Sequence, residues 1–296
     1  MRRIFLTGGS GFVGLNLIEY LGSSSVFLTY QKGDPIEINQ DIVIHLAGKA
    51  HDFKKTSTSD EYYQVNSELT KKVFDVFLFS KAKVFITLSS VKAVADEVEG
   101  ELSEESTPNP ITHYGKSKLL AEQYILAQPI PEGKRVYILR PCMIHGPGNK
   151  GNLNLLYSLI SKGLPWPLGL FENTRSYLSI ENLCFIIKEL IQREDIHSGV
   201  YNVVDDVPLS TNEVINLIAE SKGNISKILN LNKIIITVIA LVGDFLKLPL
   251  NSERLQKLTE SFVVSNAKIK AALGKPLPVS SKDGLIKTFQ SFAENA

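Results

Sequence analysis

A glycine-rich turn directly after the first apolar segment restricts the fold of this chain more than any other feature. The predicted strand Arg3 to Thr7 leads into GGSGFVG at positions 8 to 14, and apolar residues at helical spacing continue to Leu21. Glycines at such spacing let the backbone turn sharply and bring helix amides close to a phosphate group. A purely structural turn is the alternative, but the position after an N-terminal strand favours dinucleotide binding. The predicted cofactor-binding residues here are Gly8, Gly11, Phe12, Val13 and Gly14.

Short β-branched segments alternate with longer helical patterns through the first half of the chain. The predicted strands continue at Val26 to Tyr30, Ile42 to Leu46, Val84 to Leu88 and Val136 to Leu139, and the clearest helices are Tyr62 to Phe79 and Tyr114 to Leu126. Nearly continuous apolar strands are typical of a parallel sheet covered on both faces. The pattern predicts an α/β fold with a Rossmann-type doubly wound sheet and a smaller mixed C-terminal part. Residues 1–150, with parts of 176–204, are the predicted dinucleotide-binding domain, and 151–175 with 205–296 the second part.

The end of the second strand lacks the acidic residue that usually binds the adenosine ribose. It reads Thr29-Tyr30-Gln31-Lys32, and the first carboxylate is Asp34. The short distance from Tyr30 to Ile42 predicts an abbreviated sheet, with at best a short strand at 36–38. A carboxylate here would repel a 2′-phosphate, whereas Lys32 could pair with one. We therefore expect NADP(H) to be preferred over NAD, and the alternative is that Lys32 is a solvated turn residue.

The composition excludes several classes of function. Lys and Arg number 32 against 31 Asp and Glu, so the net charge of +1 gives no general reason to bind nucleic acid or an anionic membrane, and local charge must decide. Cys142 and Cys184 form no Cys-x-x-Cys pair and the histidines show no ligand spacing, so we expect no disulfide scaffold and no metal site. We expect a cytoplasmic protein, since the N-terminal apolar run is too short for a signal peptide.

One apolar segment needs a separate interpretation. Residues 234–242 read IIITVIALV, and Phe245 and Leu246 follow shortly after. A membrane-spanning helix needs about 20 apolar residues, so this segment is too short to span. The sequence favours a buried or partner-facing helix over a helix that lies on a membrane surface.

A catalytic group is indicated by YGKSK at 114 to 118 and by the serine at the end of an upstream strand. The spacing places the phenol of Tyr114 and the ammonium of Lys118 on one face of a helix. A free tyrosine has a pKa of about 10, so it needs a nearby cation to act as a base. Ser90 follows a parallel strand at the end where ligands bind, and its hydroxyl could hold a carbonyl or carbinol oxygen.

These residues lie within a longer set of motifs that resembles the extended short-chain dehydrogenase/reductase family, in its NAD(P)-dependent nucleotide-sugar epimerase/dehydratase branch. The resemblance covers nearly the whole chain. The matching segments are TGGSGFVG at 7–14, DIVIHLAGKAH at 41–51, YYQVNSELT at 62–70, FITLSSVKAV at 85–94, YGKSK at 114–118, LRPCMIHGPGNKGN at 139–152 and NTRSYLSIENL at 173–183.

The resemblance implies a role for each matching residue. Ser90, Tyr114 and Lys118 would be the catalytic group, and Ser90 would also contact substrate. The cofactor would be contacted by Leu46, Ala47, Gly48, Asn66, Tyr114, Lys118 and Pro141, with Asn66 also supporting the site. Residues 151–175 and 205–296 would form the nucleotide-sugar-binding part. In it, Asn152 and Arg175 would contact the diphosphate of a UDP-sugar, although a surface ion pair is the alternative for Arg175. Helices 62–79 and 114–126 would form a four-helix contact between two copies.

One departure from the family narrows the reaction. The 4,6-dehydratases of the family carry Thr-Asp-Glu after this strand, whereas this chain has Ser90-Val91-Lys92. Chemistry at C4 remains, and the tail resembles that of UDP-glucose 4-epimerase-like proteins and UDP-4-keto-6-deoxy-N-acetylglucosamine 4-reductases of surface-polysaccharide synthesis. We expect a 4-keto-sugar reductase, with a UDP-hexose 4-epimerase as the alternative. A non-catalytic dinucleotide-binding regulator is the alternative from another class.

Overall fold

The structure is a computed structural model that describes residues 1–50, 58–149, 151–246 and 251–294. Its strands are β1 (Arg2–Thr7), β2 (Ser25–Tyr30), β3 (Ile42–His45), β4 (Val84–Leu88), β5 (Glu101–Leu102), β6 (Arg135–Pro141), β7 (Met143–His145), β8 (Tyr177–Ser179), β9 (Gly199–Val203) and β10 (Val263–Val264). Its helices are α1 (Phe12–Leu21), α2 (Ser59–Tyr63), α3 (Leu69–Phe79), α4 (His113–Leu126), α5 (Asn152–Ile160), α6 (Ile180–Gln192), α7 (Thr211–Glu220), α8 (Lys233–Leu246), α9 (Ser252–Thr259), α10 (Ala267–Leu273) and α11 (Ser281–Glu294). A π-helical turn, Gln64–Glu68, joins α2 to α3.

Six strands form one parallel sheet in the order β2-β1-β3-β4-β6-β9. Thr7 pairs with both Tyr30 and His45, so the carboxyl ends of β1, β2 and β3 lie at one edge. The direction of the strand order reverses at β1, and open α/β sheets bind ligands beyond the carboxyl ends at such a point. The predicted Rossmann-type fold is confirmed, and the glycine-rich turn lies at its ligand-binding edge.

Helices cover both faces of this sheet. On one face, Ile4 and Leu6 of β1 pack in a buried cluster with Leu17 of α1 and with α6. On the other face, Phe5 of β1 packs in a cluster with Phe74 of α3. Successive residues of a strand point to opposite faces, so both must be apolar, which explains the nearly continuous apolar strand sequences.

A separate buried cluster organises the C-terminal part. It joins Tyr157 of α5, Ile215 of α7 and Phe289 of α11, and the rings of Tyr157 and Phe289 stack with centroids 6.1 Å apart. A capping box begins α7, since Ser210 and Glu213 exchange hydrogen bonds of 3.1 and 2.8 Å. The predicted assignment of this part to substrate stays a prediction.

The structure revises two expectations. Residues 31–41 contain no strand, which confirms the abbreviated sheet and excludes the short strand at 36–38. The apolar segment forms α8, which was expected to be buried or partner-facing. Burial does not apply to most of its surface, because only Ile236, Ala240 and Gly243 of this helix are buried. In the ranges that the structure describes, no helix is long and apolar enough to cross a membrane.

Candidate active site

The glycine-rich turn is closed by backbone contacts that leave no room for side chains. Gly8 adopts a φ of +72°, a left-handed conformation that favours glycine, and its carbonyl oxygen accepts a 3.0 Å hydrogen bond from the Gly11 amide. A Cβ atom on Gly14 would lie 2.3 Å from that oxygen. Gly11 is the N-cap of α1 and offers no side chain to the first amides of the helix. Those amides are therefore available to an anionic group.

The segment Leu46 to Gly48 lies directly against this turn. The Leu46 amide donates to the Thr7 carbonyl oxygen over 3.1 Å, and the Ala47 amide donates to the Thr7 hydroxyl over 3.1 Å. A Cβ atom on Gly8 would lie 2.7 Å from the Ala47 nitrogen. The structure thus brings together two groups of predicted cofactor-binding residues that are distant in the sequence.

His45 is a buried structural residue next to this segment. Its Nδ1 lies 2.7 Å from Thr7 Oγ1 and its Nε2 lies 2.9 Å from Thr70 Oγ1. Burial lowers the pKa of His45 to about 3, with a smaller contribution from Lys118. The ring is therefore neutral, and His45 is a core residue at the end of β3.

Asn66 is fully buried in the π-helical turn and connects three segments. Its side-chain nitrogen donates to the Lys49 carbonyl oxygen and to the Ser117 hydroxyl, each over 3.0 Å, and its side-chain oxygen accepts from the Lys49 amide over 2.7 Å. Ser117 in turn donates to the Tyr114 carbonyl oxygen over 2.8 Å. These bonds position the segment before Lys49 against α4, which gives Asn66 a physical means of supporting the site.

Ser90 and Tyr114 are brought together by a close approach of α4 to the loop after β4. The Ser90 hydroxyl accepts a 3.2 Å hydrogen bond from the Lys92 amide and lies beside the Tyr114 phenol. A Cβ atom on Gly115 would lie 2.3 Å from the Lys92 carbonyl oxygen, so only glycine permits this approach. Sequence reasoning assigned no role to Gly115, although its place inside the YGKSK motif was the available signal.

Lys118 lies one helical turn beyond Tyr114 and is buried. Its Nζ donates to the Leu88 carbonyl oxygen over 2.8 Å, and a Cβ atom on Gly48 would lie 3.0 Å from the same Nζ. Burial lowers the pKa of Lys118 to about 8, and nearby Glu122 opposes this shift. The ammonium therefore lies between the end of β4 and the segment that contacts the glycine-rich turn.

Beneath Lys118, Glu122 and Arg140 form a buried ion pair. Arg140 Nε donates to the two carboxylate oxygens over 3.0 and 3.1 Å, and its Nη2 donates over 2.5 Å. Removing one partner of such a pair leaves an uncompensated buried charge. Sequence reasoning missed this pair. The spacing of Glu122 from Lys118 on α4 was a signal, whereas its contact with β6 was not visible in the sequence.

The pKa of Tyr114 shifts in the direction opposite to the one that the sequence led us to expect. Burial raises this pKa, hydrogen bonding with Ser90 lowers it only in part, and Tyr62, at 6.5 Å between ring centroids, raises it further. The sequence led us to expect that Lys118 would favour the phenolate, but the Lys118 ammonium bonds to the Leu88 carbonyl instead. The Tyr114 hydroxyl is therefore protonated at neutral pH and is a proton donor. Acting as a base would require further positive charge at this place.

The turn after β2 returns a carboxylate to the end of that strand. The Gln31 amide donates to Asp34 Oδ2 over 3.2 Å, and the Asp34 amide donates to the Gln31 carbonyl oxygen over 3.1 Å. Gly33 makes the turn with a φ of +106°. Lys32 and Asp34 thus lie together where this fold binds the adenosine ribose, although the sequence suggested that no carboxylate was close.

Arg175 lies near the loop that follows Ser90. Its guanidinium donates to a backbone carbonyl of α9 and lies 3.4 Å from Glu260 Oε1. Its backbone pairs with Phe262, and the Lys92 ammonium lies 4.3 Å from the centroid of the Phe262 ring. The Arg175 side chain is 17% exposed, so the ion pair of the alternative interpretation is present but partly buried.

The structure gives fewer contacts for the remaining predicted site residues. Pro141 ends β6, at the same edge of the sheet as the catalytic group. Asn152 begins α5, and its side chain lies outside the described part of the structure, as do His51 and Lys150 of two matching segments. Among the described residues, no three His, Cys, Asp or Glu side chains cluster as metal ligands would.

The residues present fit a dinucleotide cofactor. A Cβ on Gly8 would clash with the backbone of Leu46 and Ala47, and one on Gly14 with the Gly8 carbonyl oxygen, so only glycines permit this tight turn, which leads directly into free helix amides. The sequence profile of the NAD dependent epimerase/dehydratase family matches residues 34–203. The chain belongs to this family. The matched region contains Ser90, Tyr114 and Lys118, and the resemblance to the extended short-chain dehydrogenases/reductases is confirmed.

Several known proteins are similar in sequence to this chain. It is 30% identical to the UDP-glucose 4-epimerase of Vibrio cholerae, across 99% of the chain and 96% of the relative. It is 29% identical to the N-acetyl-alpha-D-glucosaminyl-diphospho-ditrans,octacis-undecaprenol 4-epimerase of Escherichia coli O157:H7, across 76% of the chain and 72% of the relative. It is 27% identical to the GDP-6-deoxy-D-mannose reductase of Pseudomonas aeruginosa, across 74% of the chain and 80% of the relative.

Solved structures of similar fold include complexes with NAD and with NADPH. UDP-glucuronic acid 4-epimerase from Bacillus cereus, solved with NAD, superposes with a TM-score of 0.75 at 18% identity, and 99% of each chain is covered. RMD from Pseudomonas aeruginosa, solved with NADPH, superposes with a TM-score of 0.73 at 22% identity, and 100% of each chain is covered. The epimerase/dehydratase family member described here thus shares a fold with proteins that bind NAD or NADPH.

Proposed function

We propose that this protein catalyses redox chemistry at C4 of a nucleotide-activated sugar with a nicotinamide cofactor. The observation that carries the proposal is the group formed by Ser90, Tyr114 and Lys118 at the end of β4, directly beside the glycine-rich turn. A non-catalytic regulator would gain nothing from a buried ammonium one helical turn from a buried phenol, because burying a charge costs stability. A reaction that moves a proton uses both groups.

The proton steps follow from the positions of the side chains. In the reducing direction, the Tyr114 hydroxyl donates its proton to the C4 carbonyl oxygen, which the Ser90 hydroxyl orients. In the oxidising direction, Tyr114 must first lose its own proton, and the resulting phenolate oxygen accepts the proton of the C4 hydroxyl. When bound, the nicotinamide supplies a hydride to C4 or accepts one from it. Lys118 supplies positive charge one helical turn from the phenol and would hydrogen-bond the nicotinamide ribose.

We assign the sugar donor to residues 151–175 and 205–296, with Arg175 and Asn152 on its diphosphate. A partly buried guanidinium suits phosphate oxygens because it donates two parallel hydrogen bonds. The Vibrio cholerae relative is named for UDP-glucose and the Escherichia coli relative for a sugar on diphospho-undecaprenol. Both donors contain a sugar diphosphate, and we propose the UDP-sugar for this chain.

For the direction of the reaction, we propose net reduction of a 4-keto sugar with NADPH. The neutral Tyr114 hydroxyl is a ready proton donor, as reduction requires. Lys32 is exposed at the end of β2, where its ammonium can pair with a 2′-phosphate. A relative named as a GDP-sugar reductase supports this direction.

Epimerisation of a UDP-hexose with NAD is the second candidate, and two observations favour it. The Asp34 carboxylate at the end of β2 can accept hydrogen bonds from ribose hydroxyls and would repel a 2′-phosphate. The Vibrio cholerae relative named as a 4-epimerase matches the chain over nearly its whole length. An epimerase would return the hydride to the same sugar and would release no oxidised cofactor.

Absorbance at 340 nm separates these candidates. With a UDP-4-keto-6-deoxysugar, the protein should consume NADPH stoichiometrically and faster than NADH. Lys32→Ala should reduce the preference for NADPH, and Asp34→Asn should increase it. Interconversion of two UDP-hexoses without net absorbance change would establish the epimerase instead. Bound nicotinamide without turnover of any UDP-sugar or 4-keto-UDP-sugar would support the regulator.

Two further parts of the proposal concern the assembly and the compartment. Phe79 of α3 with Leu120 and Leu126 of α4 are exposed apolar residues on the helices proposed for a homodimer contact. Cys142 and Cys184 are both free thiols, which agrees with the proposed cytoplasmic location. Light scattering of Phe79→Gln against the unmodified protein would test the dimer contact.

A further inference from the structure

Helix α8 has the wrong surface for an ordinary helix on the outside of a protein. Such a helix normally presents polar residues away from the core. The stripe Ile236, Ala240 and Gly243 is buried, and it already attaches α8 to the protein. The outward positions are nevertheless apolar and exposed: Ile234, Ile235, Val238, Ile239, Leu241, Val242, Phe245 and Leu246. The outer face is therefore apolar without a packing role among the residues that the structure describes.

Neighbouring segments extend this apolar area. The residues just before α8 include exposed Ile225, Leu229 and Leu231, and the strand-like segment around Trp166 adds exposed Leu164 and Leu170. Backbone bridges from Trp166 to Ile228 and from Leu168 to Asn230 hold the two segments together. We call the exposed apolar residues of 164–170 and 225–246 the α8 surface. Contiguous apolar areas of this kind mark binding sites, unlike single exposed residues.

The charges around the α8 surface have one dominant sign. Between Glu220 and Asp244 the chain carries no acidic residue, and Lys222, Lys227 and Lys233 are all exposed. The Asp244 carboxylate accepts hydrogen bonds from the amide and the hydroxyl of one residue of α9, and Glu172 is the exposed acid beside the ring that Lys233 contacts. The net charge of the chain is only +1, so this run of lysines is a local concentration of positive charge. It makes the edge of the α8 surface complementary to an anionic partner.

We propose that the α8 surface docks the protein on the face of an anionic lipid bilayer, with α8 lying in the plane of the interface. A helix of 14 residues is about 21 Å long, less than the ~30 Å hydrocarbon core, so it lies along the membrane. Its apolar side chains enter the boundary between headgroups and acyl chains, and the lysines pair with lipid phosphates. A two-fold contact with a second copy would instead bring the same lysines toward one another.

Vesicle flotation tests the proposal directly. The protein should float with phosphatidylcholine vesicles that contain phosphatidylglycerol, less with phosphatidylcholine alone, and less as salt is added. The combined variant Ile234→Gln, Val238→Gln and Leu241→Gln should weaken this binding at least about tenfold, since these side chains provide the apolar contact. Glutamine has at least the helix propensity of the residues it replaces, so α8 should persist, as circular dichroism would check.

A matched control changes equally exposed apolar residues elsewhere. Ile111, Val26 and Val207 are 72%, 50% and 55% exposed, against 73%, 52% and 57% for Ile234, Val238 and Leu241. Their replacement by glutamine should leave flotation unchanged. A second variant keeps the apolar residues and replaces Lys222, Lys227 and Lys233 by glutamine. It should lose about fivefold in affinity for anionic vesicles per lysine.

Three results would overturn the proposal. The first is that the unmodified protein does not bind anionic vesicles. The second is that the matched control loses vesicle binding as fully as the α8 variant. The third is that the unmodified protein does not bind vesicles, while light scattering shows that it self-associates and that the α8 variant does not. That last result would identify a second copy of the chain as the occupant of the α8 surface.

Discussion

The catalytic edge of the sheet and the C-terminal part hold their functional groups in different ways. At the sheet edge, Asn66 and Lys118 are buried, and their polar atoms bond to backbone groups of neighbouring segments. In the C-terminal part, Arg175 is partly exposed and pairs with another charged side chain, Glu260, while α8 presents apolar residues outward. The difference indicates that the first region is organised before any ligand arrives, whereas the second completes its contacts with a ligand or partner.

The largest expected effect comes from removing the proton-transfer group of the organised region. Tyr114→Phe keeps the ring and its packing, so nicotinamide binding should stay nearly unchanged. The rate on the true substrate should fall about 100- to 10,000-fold, the usual contribution of general acid–base catalysis. Steady-state kinetics and cofactor titration would measure both quantities, with Tyr62→Phe as the neighbouring control. A Tyr114→Phe rate close to that of the unmodified protein would remove Tyr114 from the mechanism.

In the C-terminal part, Arg175→Ala should weaken binding of UDP and of the UDP-sugar alike. A lost charge-assisted hydrogen bond costs about 1.5–3 kcal/mol, and nicotinamide affinity should not change. Calorimetry with UDP measures the effect. Lys257→Ala is a suitable control, since it removes a nearby exposed cation that pairs with Glu253. If UDP affinity is the same in both variants, Arg175 serves only its ion pair with Glu260.

Replacing a glycine by alanine, which adds one methyl group, should also change the stability of the two regions by different amounts. Gly115→Ala forces a contact with the Lys92 carbonyl oxygen, so we expect a loss of about 1–3 kcal/mol in the free energy of unfolding and a lower rate, because α4 carries Tyr114. Among the described residues, the new methyl group of Gly151→Ala meets only the Asn149 side chain, at 3.5 Å, so this change should cost less than about 1 kcal/mol. Chemical denaturation measures both. Equal losses would show that the catalytic edge is no more tightly organised than the start of α5.

The last expected effect concerns the stability cost of the Lys118 ammonium. Its pKa falls from 10.5 to about 8 on folding, so the cost is fully present below pH 8 and disappears as the pH rises toward 10.5. The shift corresponds to about 3 kcal/mol, and loss of the hydrogen bond to Leu88 offsets about 1 kcal/mol. Lys118→Met should therefore be inactive but about 2 kcal/mol more stable at pH 7. Thermal unfolding of both proteins across this pH range should show the difference shrinking, and a difference independent of pH would contradict the assignment.

The features that depend on local patterns were determined by the sequence alone. Apolar periodicity placed α1 and β4 at the bounds that the structure shows, and the spacing of Gly8, Gly11 and Gly14 identified the phosphate-binding turn. The Ser90, Tyr114 and Lys118 group was also visible, since each residue stands in a recognisable local motif. Such features can be read because a strand, a turn and a helix start are each specified by a few consecutive residues.

Only the tertiary structure decided how distant groups affect one another. It showed the Glu122–Arg140 pair beneath Lys118, the contact that requires Gly115, and the return of the Asp34 carboxylate to the end of β2. It also showed that the pKa of Tyr114 shifts in the direction opposite to the expected one, and that the apolar outer face of α8 is exposed. Each of these outcomes depends on burial or on a contact between residues far apart in the chain, and periodicity along one segment does not specify which neighbours surround it.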